Sequence, residues 1–289
     1  MACMPYILLG CTFILILMAT AYYHFRSRAV IIRHTAPGNA YLYVPTGATP
    51  LQLTDSLKRF MVSETEDDFL WLARRKGLFR RIIPGRYRLK EGMRNFELVG
   101  LLRSGSQEPL RMTVPLVRTP AEMAGRLARK LEPDSSSWMR AFSDPTMLLQ
   151  FQISPEQLFT IIIPETYDFY WNTSPEKWLA KMKHESDLFW NRERSRKAGQ
   201  RGLSVPEVII LASVVEKETN QNDEKPTIAG VYLNRLARRM PLQADPTVVF
   251  AWQDFSIRRV LKKHLEIASP YNTYLRSEER RVGKECRSR

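Results

Sequence analysis

Apolar residues recur at helical spacing along residues 204–219, and this pattern predicts a well-defined helix. Ser204 followed by Pro206 and Glu207 has the form of a capping box, with proline in the first turn, where its missing N–H costs nothing. Most of the side opposite the main apolar stripe is apolar too, so the pattern predicts a helix that is buried nearly all round. The main stripe is Val208, Leu211, Ala212, Val215 and Thr219, and the opposite side carries Ile210 and Val214.

Two glutamates lie on this predicted helix, on opposite flanks of the stripe. Glu216 and Glu218 are roughly 160° apart around the helix axis, so their carboxylates cannot face one bond. Burial disfavours the charged form of a carboxyl group and raises its pKa, which is what a general acid needs. The alternative is an ordinary ion-pair network with Lys217, Lys225 or Arg235, since such networks also perturb pKa values.

The first half of the chain contains a repeated pattern of strand, turn and capped helix. Val44-Pro45 is followed after three residues by Thr49-Pro50, and the same spacing recurs at residues 114–120, each time before an amphipathic helix. Between the two copies the pattern predicts a helix around residues 69–72, a strand at 85–89 and a helix at 95–102 that closes at Gly105.

The second half predicts further helices and one more strand, so the fold class is α+β. Residues 158–163 form a continuous apolar run typical of a buried strand, and residues 177–197 form a charged helix. Another helix opens at Pro226 or Thr227 and ends by Pro241. Pro246 is expected to hold Asp245 in an extended conformation within an ordered loop at residues 242–247.

Four ordered blocks of sequence carry a specific resemblance. They are Glu-Lys-Glu-Thr at residues 216–219, Val-Tyr-Leu-Asn-Arg-Leu at 231–236, Leu-Gln-Ala-Asp-Pro-Thr at 242–247 and Ser-Pro-Tyr-Asn-Thr-Tyr at 269–274. In order and spacing they resemble the catalytic domain of the endolytic murein transglycosylase family, the YceG-like or MltG proteins. The resemblance extends over most of residues 40–275.

The resemblance implies roles for individual residues. It assigns the catalytic acid to Glu216, the first glutamate of its block, and it implies that the other blocks line a glycan cleft. The residues expected to contact substrate are Glu165, Tyr167, Glu218, Asn234, Gln243, Asp245, Thr247, Tyr271, Asn272, Thr273 and Tyr274.

Glu165 is the rival acid. It follows the apolar run 158–163 and stands in Pro-Glu-Thr-Tyr, a block that resembles the family's Pro-Asp/Glu-Thr-Tyr, among aromatic residues that could stack on a sugar. An acid in this position is more often a helix or turn cap.

The resemblance also implies the reaction. Most glycosidases flank the bond with two carboxylates, whereas this motif offers one acid in a buried setting. We expect Glu216 to protonate the glycosidic oxygen and then to deprotonate the C6 hydroxyl of muramic acid, which closes on C1 and leaves a 1,6-anhydroMurNAc end. The alternative function is a non-catalytic peptidoglycan-binding scaffold for cell-wall synthases.

The domain organisation follows from the same comparison. Residues 29–108 resemble a LysM-like small α/β domain, which either contacts glycan or serves as a spacer. Residues 109–276 resemble a mixed α+β catalytic domain without its closing part. Residues 277–289 are polar and aperiodic, so we expect a disordered tail of foreign composition.

The N-terminus predicts a membrane anchor. Residues 6–23 are apolar apart from two threonines, long enough to span a bilayer, so residues 1–28 are interpreted as a single transmembrane signal anchor. A signal-peptidase site at residues 19–21 and a lipobox at residues 8–11 are rival interpretations. Arg26, Arg28 and Arg33 would keep the following chain in the cytoplasm, but the family resemblance places it on the periplasmic or outer side of the cytoplasmic membrane.

Charge and composition limit the chemical classes of partner that the chain is expected to bind. Forty-four Lys and Arg against 30 Asp and Glu give a net charge of +14, which favours an acidic partner such as nucleic acid, anionic lipid or peptidoglycan. No nucleic-acid-binding motif accompanies the charge, so glycan strands and membrane are the expected partners. The three cysteines lie at residues 3, 11 and 286, and the four histidines lack ligand spacing. We therefore expect neither a metal site nor a cofactor.

Overall fold

The structure, a computed structural model, describes residues 4–28, 32, 40–61 and 65–275. Within these residues the chain is mixed α+β, with many helices and two antiparallel two-stranded sheets. It divides into two compact units, Met1–Ala141 with Pro164–Trp178, and Phe142–Ile163 with Leu179–Arg289. The expected tail at residues 277–289 lies outside the described residues.

The elements follow one another in this order. In the first half they are α1 (Met4–Arg28), β1 (Ala40–Val44), α2 (Pro50–Lys58), α3 (Glu66–Arg75), β2 (Gly85–Leu89), α4 (Asn95–Ser104), β3 (Leu110–Thr113), α5 (Pro120–Ala128), α6 (Ser135–Ser143) and α7 (Pro145–Leu149). In the second half they are β4 (Thr166–Phe169), α8 (Pro175–Phe189), α9 (Arg192–Gln200), α10 (Val205–Glu218), α11 (Lys225–Ala237) and α12 (Asp245–Trp252). Short 3-10 helices occupy Leu78–Arg80, Pro155–Ile161 and Lys262–His264.

The first unit contains the predicted order of strand, two helices and strand. β1 and β2 pair antiparallel, with Ala40 opposite Leu89 and Val44 opposite Gly85. The buried residues between this sheet and the helices α2, α3 and α4 form one hydrophobic core that includes Phe69 and Leu98. The prediction for this segment is confirmed because apolar spacing and turn residues agree in each element.

The predicted repeat is also confirmed. Thr49 caps α2 through a capping box with Gln52, and the Thr119 side chain accepts the backbone N–H of Glu122 at the start of α5. Each helix follows a short strand, β1 in the first copy and β3 in the second. β3 pairs antiparallel with β4.

Two predictions in the middle of the chain are wrong. Residues 158–163 do not form a strand: Pro155–Ile161 is a 3-10 helix that begins at a capping box between Ser154 and Gln157. A short apolar run does not by itself distinguish a strand from a buried helix, and here the cap decides. The charged helix at 177–197 is two helices, because α8 ends at Phe189 and Asn191 caps α9 by accepting the N–H of Arg194.

The N-terminal segment is helical as α1. Among the residues that the structure describes, no helix is both long and apolar enough to cross a membrane. The transmembrane anchor therefore stays a prediction.

The second unit is built on α10 and its neighbours. α10 contacts α9, α11, α12 and the 3-10 helix Pro155–Ile161. Its buried core contains Leu211 and Val215 of α10 with Tyr232, Leu242 and Ala244. Ala212 and Ser213 are exposed, so the prediction that this helix is buried nearly all round is wrong for the described chain. Periodicity shows which faces could be buried, but burial also requires a neighbouring element on each face.

Candidate active site

The end of α10 places the two glutamates in different surroundings. The helix begins as predicted, with the N–H of Ser204 donated to the Glu207 carboxylate at 2.7 Å. It ends at Glu218, because Thr219 is extended. Glu216 and Glu218 therefore both lie in the last turn of α10, and their side chains contact different residues.

Glu216 forms an ion pair. The Nζ atom of Lys225, at the start of α11, lies 2.6 Å from Glu216 Oε2, and it also donates to Asn222 Oδ1 at 2.8 Å. The Glu216 side chain is 42% exposed. Lys225 is one of the three ion-pair partners that the sequence analysis named as alternatives. The ion pair connects the end of α10 to the beginning of α11.

Glu218 faces a different set of groups. Partial burial, and then the negative charge of Asp245, raise the pKa of its carboxyl group, while hydrogen bonding with the Tyr232 hydroxyl lowers it. The residue as a whole is exposed, so the burial concerns the carboxyl group. Among the described residues, no lysine or arginine forms a salt bridge with Glu218, contrary to the pairing that its position on the helix suggested.

Two tyrosines and a second carboxylate complete this cluster. Tyr274 donates its hydroxyl to Asp245 Oδ1 at 2.5 Å. Burial, and then the hydrogen bond and charge of Asp245, raise the pKa of Tyr274 to about 12. Burial, and then the charge of Glu218, raise the pKa of the buried Tyr232 hydroxyl, and Arg235 opposes both shifts. Four sequence blocks thus meet around one carboxyl group.

The loop before α12 is held in an unusual backbone conformation. Gln243 has a φ of 54°, in the left-handed region that costs a non-glycine residue about 1–3 kcal/mol. Its neighbours fix it: Arg235 donates to the Leu242 carbonyl, and the Ala244 N–H donates to Thr273 Oγ1 at 3.0 Å. The Gln243 side chain is therefore held exposed at the edge of the cluster.

Thr247, Thr273 and Asp245 hold the loop and the last block together. Thr247 Oγ1 lies 2.9 Å from Thr273 Oγ1 and donates to the Ala244 carbonyl at 2.7 Å. Asp245 is the first residue of α12 and Pro246 lies in its first turn, so the expectation of an extended loop at Asp245 is wrong. Proline is accommodated there because the first-turn N–H has no helical partner.

Asn272 is buried and supports the backbone. It is 1% exposed, and its amide donates to the carbonyls of Leu265 and Ile267 at 2.8 and 2.9 Å. Its Oδ1 accepts the Tyr274 N–H at 3.0 Å. The neighbouring Tyr271 is exposed, with its ring 4.9 Å from that of Phe250. Of these two residues, Tyr271 is the one that can meet a ligand.

The remaining predicted residues are Asn234, Glu165 and Tyr167. Asn234 is exposed on α11, one turn before the end of the helix. Glu165 and Tyr167 belong to the first unit. The exposed Glu165 carboxylate accepts the N–H of the next residue, Thr166, at 3.1 Å. Tyr167 is buried in β4, 8% exposed.

Sequence reasoning missed two members of the cluster. Tyr232 is absent from the residues expected to contact substrate, and Arg235 was expected only as a possible partner of a glutamate. Their signal was available, because tyrosine and arginine three residues apart on a helix lie on one face. Among the described residues, no group of three or more His, Cys, Asp or Glu side chains could hold a metal ion.

Comparisons with known proteins agree with these motifs. The sequence model of the YceG-like family matches residues 42–278. Endolytic murein transglycosylase of Bacillus subtilis (strain 168) is 28% identical over 247 residues, which cover 80% of this chain and 68% of that protein. The protein of the same name from Streptococcus pneumoniae (strain ATCC BAA-255 / R6) is 24% identical over 265 residues, 80% of this chain and 47% of that protein. The chain thus spans about two thirds of one relative and about half of the other.

A solved structure shows the same fold. The 2.6 Å crystal structure of a yceG-like protein from Listeria monocytogenes matches with a TM-score of 0.51 and 23% sequence identity. The match covers 82% of this chain and 83% of that one. At this identity the likeness concerns the fold alone.

Proposed function

The chain belongs to the YceG-like family, and we propose from this premise that it is an endolytic lytic transglycosylase. Its substrate is peptidoglycan: it cuts the β-1,4 bond between MurNAc and GlcNAc in nascent glycan strands and leaves 1,6-anhydroMurNAc ends. The names of the relatives support the reaction class. The reaction itself, the site residues and the membrane location are part of the proposal.

The observation that carries the proposal is the setting of Glu218. Partial burial, and then the negative charge of Asp245, raise the pKa of this carboxyl group, which is the direction that a general acid requires. Four sequence blocks converge here, since Glu218, Tyr232, Asp245 and Tyr274 each come from a different one.

The structure supports Glu218 as the acid more strongly than Glu216. Glu216 Oε2 is engaged in an ion pair with Lys225 Nζ at 2.6 Å, whereas among the described residues no lysine or arginine forms a salt bridge with Glu218. Glu216, to which the family resemblance assigned the catalytic acid, remains the competing candidate. In this proposal its ion pair with Lys225 gives it a positioning role.

The proposed steps use one carboxyl group twice. Glu218 protonates the glycosidic oxygen as the bond from C1 of MurNAc breaks, and the N-acetyl group of the same sugar stabilises the positive charge that develops at C1. The Glu218 carboxylate, to which Tyr232 can hydrogen-bond, then takes the proton of the C6 hydroxyl as O6 bonds to C1. No water is added, and the carboxyl group ends protonated as it began. The intramolecular hydroxyl outcompetes water through its high effective molarity.

The location is proposed on sequence grounds. The apolar run at residues 6–23 would anchor the chain once in the cytoplasmic membrane, with residues 29–276 on the periplasmic or outer side, where nascent strands are accessible. Cell-wall synthases that extend these strands are the expected protein partners. The LysM-like segment at residues 29–108 would hold the glycan strand or set the distance of the catalytic domain from the membrane.

Digestion of uncrosslinked glycan strands by the wild-type chain, Glu218→Gln and Glu216→Gln tests the proposal. We expect anhydro ends from the wild type, measurable turnover from Glu216→Gln and a loss of at least about 100-fold in Glu218→Gln, since acid catalysis contributes on that order. If Glu216→Gln is inactive and Glu218→Gln is active, the catalytic acid is Glu216. Reducing ends, heavier by one water in mass spectrometry, would indicate a hydrolase. Binding of strands without any cleavage would favour the scaffold function.

A further inference from the structure

Residues 13–18 of α1 are exposed on every side within the part of the chain that the structure describes. The six consecutive residues 13–18 are all apolar, and each is at least 52% exposed. Six residues at about 100° each pass around the entire helix, so no face of this segment packs against the described part of the first unit. An apolar surface of this kind is normally covered by another molecule.

The C-terminal part of α1 packs against the rest of the first unit. Tyr23 packs against the core of that unit, whereas Tyr22 is 53% exposed. The rings of Tyr22 and Tyr23 each lie 5.9 Å from the ring of Trp71 on α3. Tyr and Trp concentrate at the boundary between hydrocarbon and water, because each ring combines an apolar body with a polar group.

Cations surround these rings. The Arg75 guanidinium lies 5.7 Å from the ring centres of both Tyr23 and Trp71, and the Lys76 ammonium lies 5.7 Å from that of Tyr23. Arg74 and Arg75 line an open cleft of about 610 Å³ with Trp71, Leu70 and one acid, Asp67. The acids of α3 are confined to its first turn and the arginines to its last, so the positive charge gathers at the end that touches α1.

We propose that Tyr22, Tyr23, Trp71, Arg74, Arg75 and Lys76, here called the collar, bind the anionic phospholipid headgroups of the membrane that receives α1. Trp71, Arg74 and Arg75 of the collar lie on α3, a folded element of the first unit, so headgroup binding would fix the orientation of that unit on the bilayer. Phosphate oxygens carry the negative charge that arginine pairs bind. The inference depends on the membrane anchor proposed above but not on the identity of the catalytic acid.

Hydrogen exchange of the full chain in nanodiscs tests the collar. One set of nanodiscs contains phosphatidylcholine alone, and the other contains phosphatidylcholine mixed with phosphatidylglycerol. We expect amides near residues 70–76 to exchange on the order of tenfold more slowly in the anionic discs, since each arginine near an anionic surface adds several-fold to binding. Amides of α4 should exchange alike in both sets.

Matched variants separate the collar from net charge. Arg74→Gln/Arg75→Gln should abolish the difference between the lipids, and Arg74→Lys/Arg75→Lys should retain most of it. Arg129→Gln/Lys130→Gln removes the same charge from the exposed end of α5 in the same unit, and it should retain the difference in full. Loss of the difference in this control would assign the effect to net charge and overturn the proposal.

The failures are distinguishable. A chain that inserts into both discs but shows the same exchange at residues 70–76 in each would overturn the collar alone. A chain that separates from both discs would overturn the anchor and the collar with it. Protection by soluble anionic glycan strands, in the absence of lipid, would show that the cations bind a polymer instead.

Discussion

The hydroxyl of Tyr274 donates to the carboxylate of Asp245 across 2.5 Å, between residues that are 29 positions apart in sequence. This bond joins the last of the four sequence blocks, residues 269–274, to the start of α12. It also fixes the carboxylate whose charge raises the pKa of Glu218. Asp245 is therefore the group through which the cluster can be tested without changing Glu218, the proposed acid.

Asp245→Asn should shift the pH dependence of cleavage. The variant keeps an oxygen that can accept the Tyr274 hydroxyl but removes the negative charge, so the pKa of Glu218 should fall. Activity requires the protonated acid, so the decline of kcat/KM on the alkaline side should move to lower pH. Tyr274→Phe is the control, since it leaves the charge in place. An alkaline decline at the wild-type pH in Asp245→Asn would exclude Glu218 as the titrating acid.

Glu218→Gln should not destabilise the protein at neutral pH. The folded-state pKa of this carboxyl group is raised, so the folded protein loses stability as pH rises from the unfolded-state pKa through the folded-state pKa. The variant escapes this loss. Its melting temperature should equal that of the wild type near about pH 4 and match or exceed it near about pH 7. A stabilising ion pair at Glu218 would give the opposite result. A melting temperature of Glu218→Gln below that of the wild type at neutral pH would therefore contradict this prediction.

Glu216→Gln should cost little stability. The ion pair with Lys225 is partly exposed, with side-chain exposures of 42% and 23%, so its loss should cost about 0.5–1 kcal/mol. Added salt should shrink the difference from the wild type. A double-mutant cycle with Lys225→Met measures the pair directly. A coupling energy near zero would show that the contact does not join α10 to α11 in solution.

Asn272→Ala should destabilise the second unit. It removes two hydrogen bonds to the Leu265 and Ile267 carbonyls at a site that is 1% exposed, which should cost about 2–3 kcal/mol in urea unfolding. Asn234→Ala is the matched control on an exposed helical surface, and it should change stability by about 0.5 kcal/mol or less. Equal effects of the two substitutions would contradict the supporting role of Asn272.

Alanine substitution should change stability in opposite directions at Gly100 in α4 and at Gly105, its C-cap. Gly105 caps the helix with a φ of 67°, and an added Cβ would lie 3.0 Å from Ile83, so Gly105→Ala should cost about 1–2 kcal/mol. Gly100 lies inside the helix with nothing within 4 Å of an added Cβ, so Gly100→Ala should stabilise by about 0.5–1 kcal/mol. Thermal unfolding measures both, and a stabilising Gly105→Ala would mean that the helix does not end there.

Most elements could be predicted from sequence where a cap and a hydrophobic period agreed. The capped starts of α2, α5 and α10, and the end of α4 at Gly105, were each predicted. Predictions failed where one signal stood alone. The apolar run at residues 158–163 lacked a strand's alternation, and the break between α8 and α9 depended on one capping asparagine, Asn191.

The sequence by itself determined the local elements, the family and the position of both glutamates at the end of one helix, because caps, periodicity and motifs involve residues only a few positions apart. Tertiary structure alone decided that the pKa of the Glu218 carboxyl group is raised. Glu216 meets Lys225, nine positions away, whereas Glu218 meets Tyr232 and Asp245 on two other helices. Desolvation and charge act through space, so they depend on which distant side chains the packing of α10, α11 and α12 brings within a few ångströms.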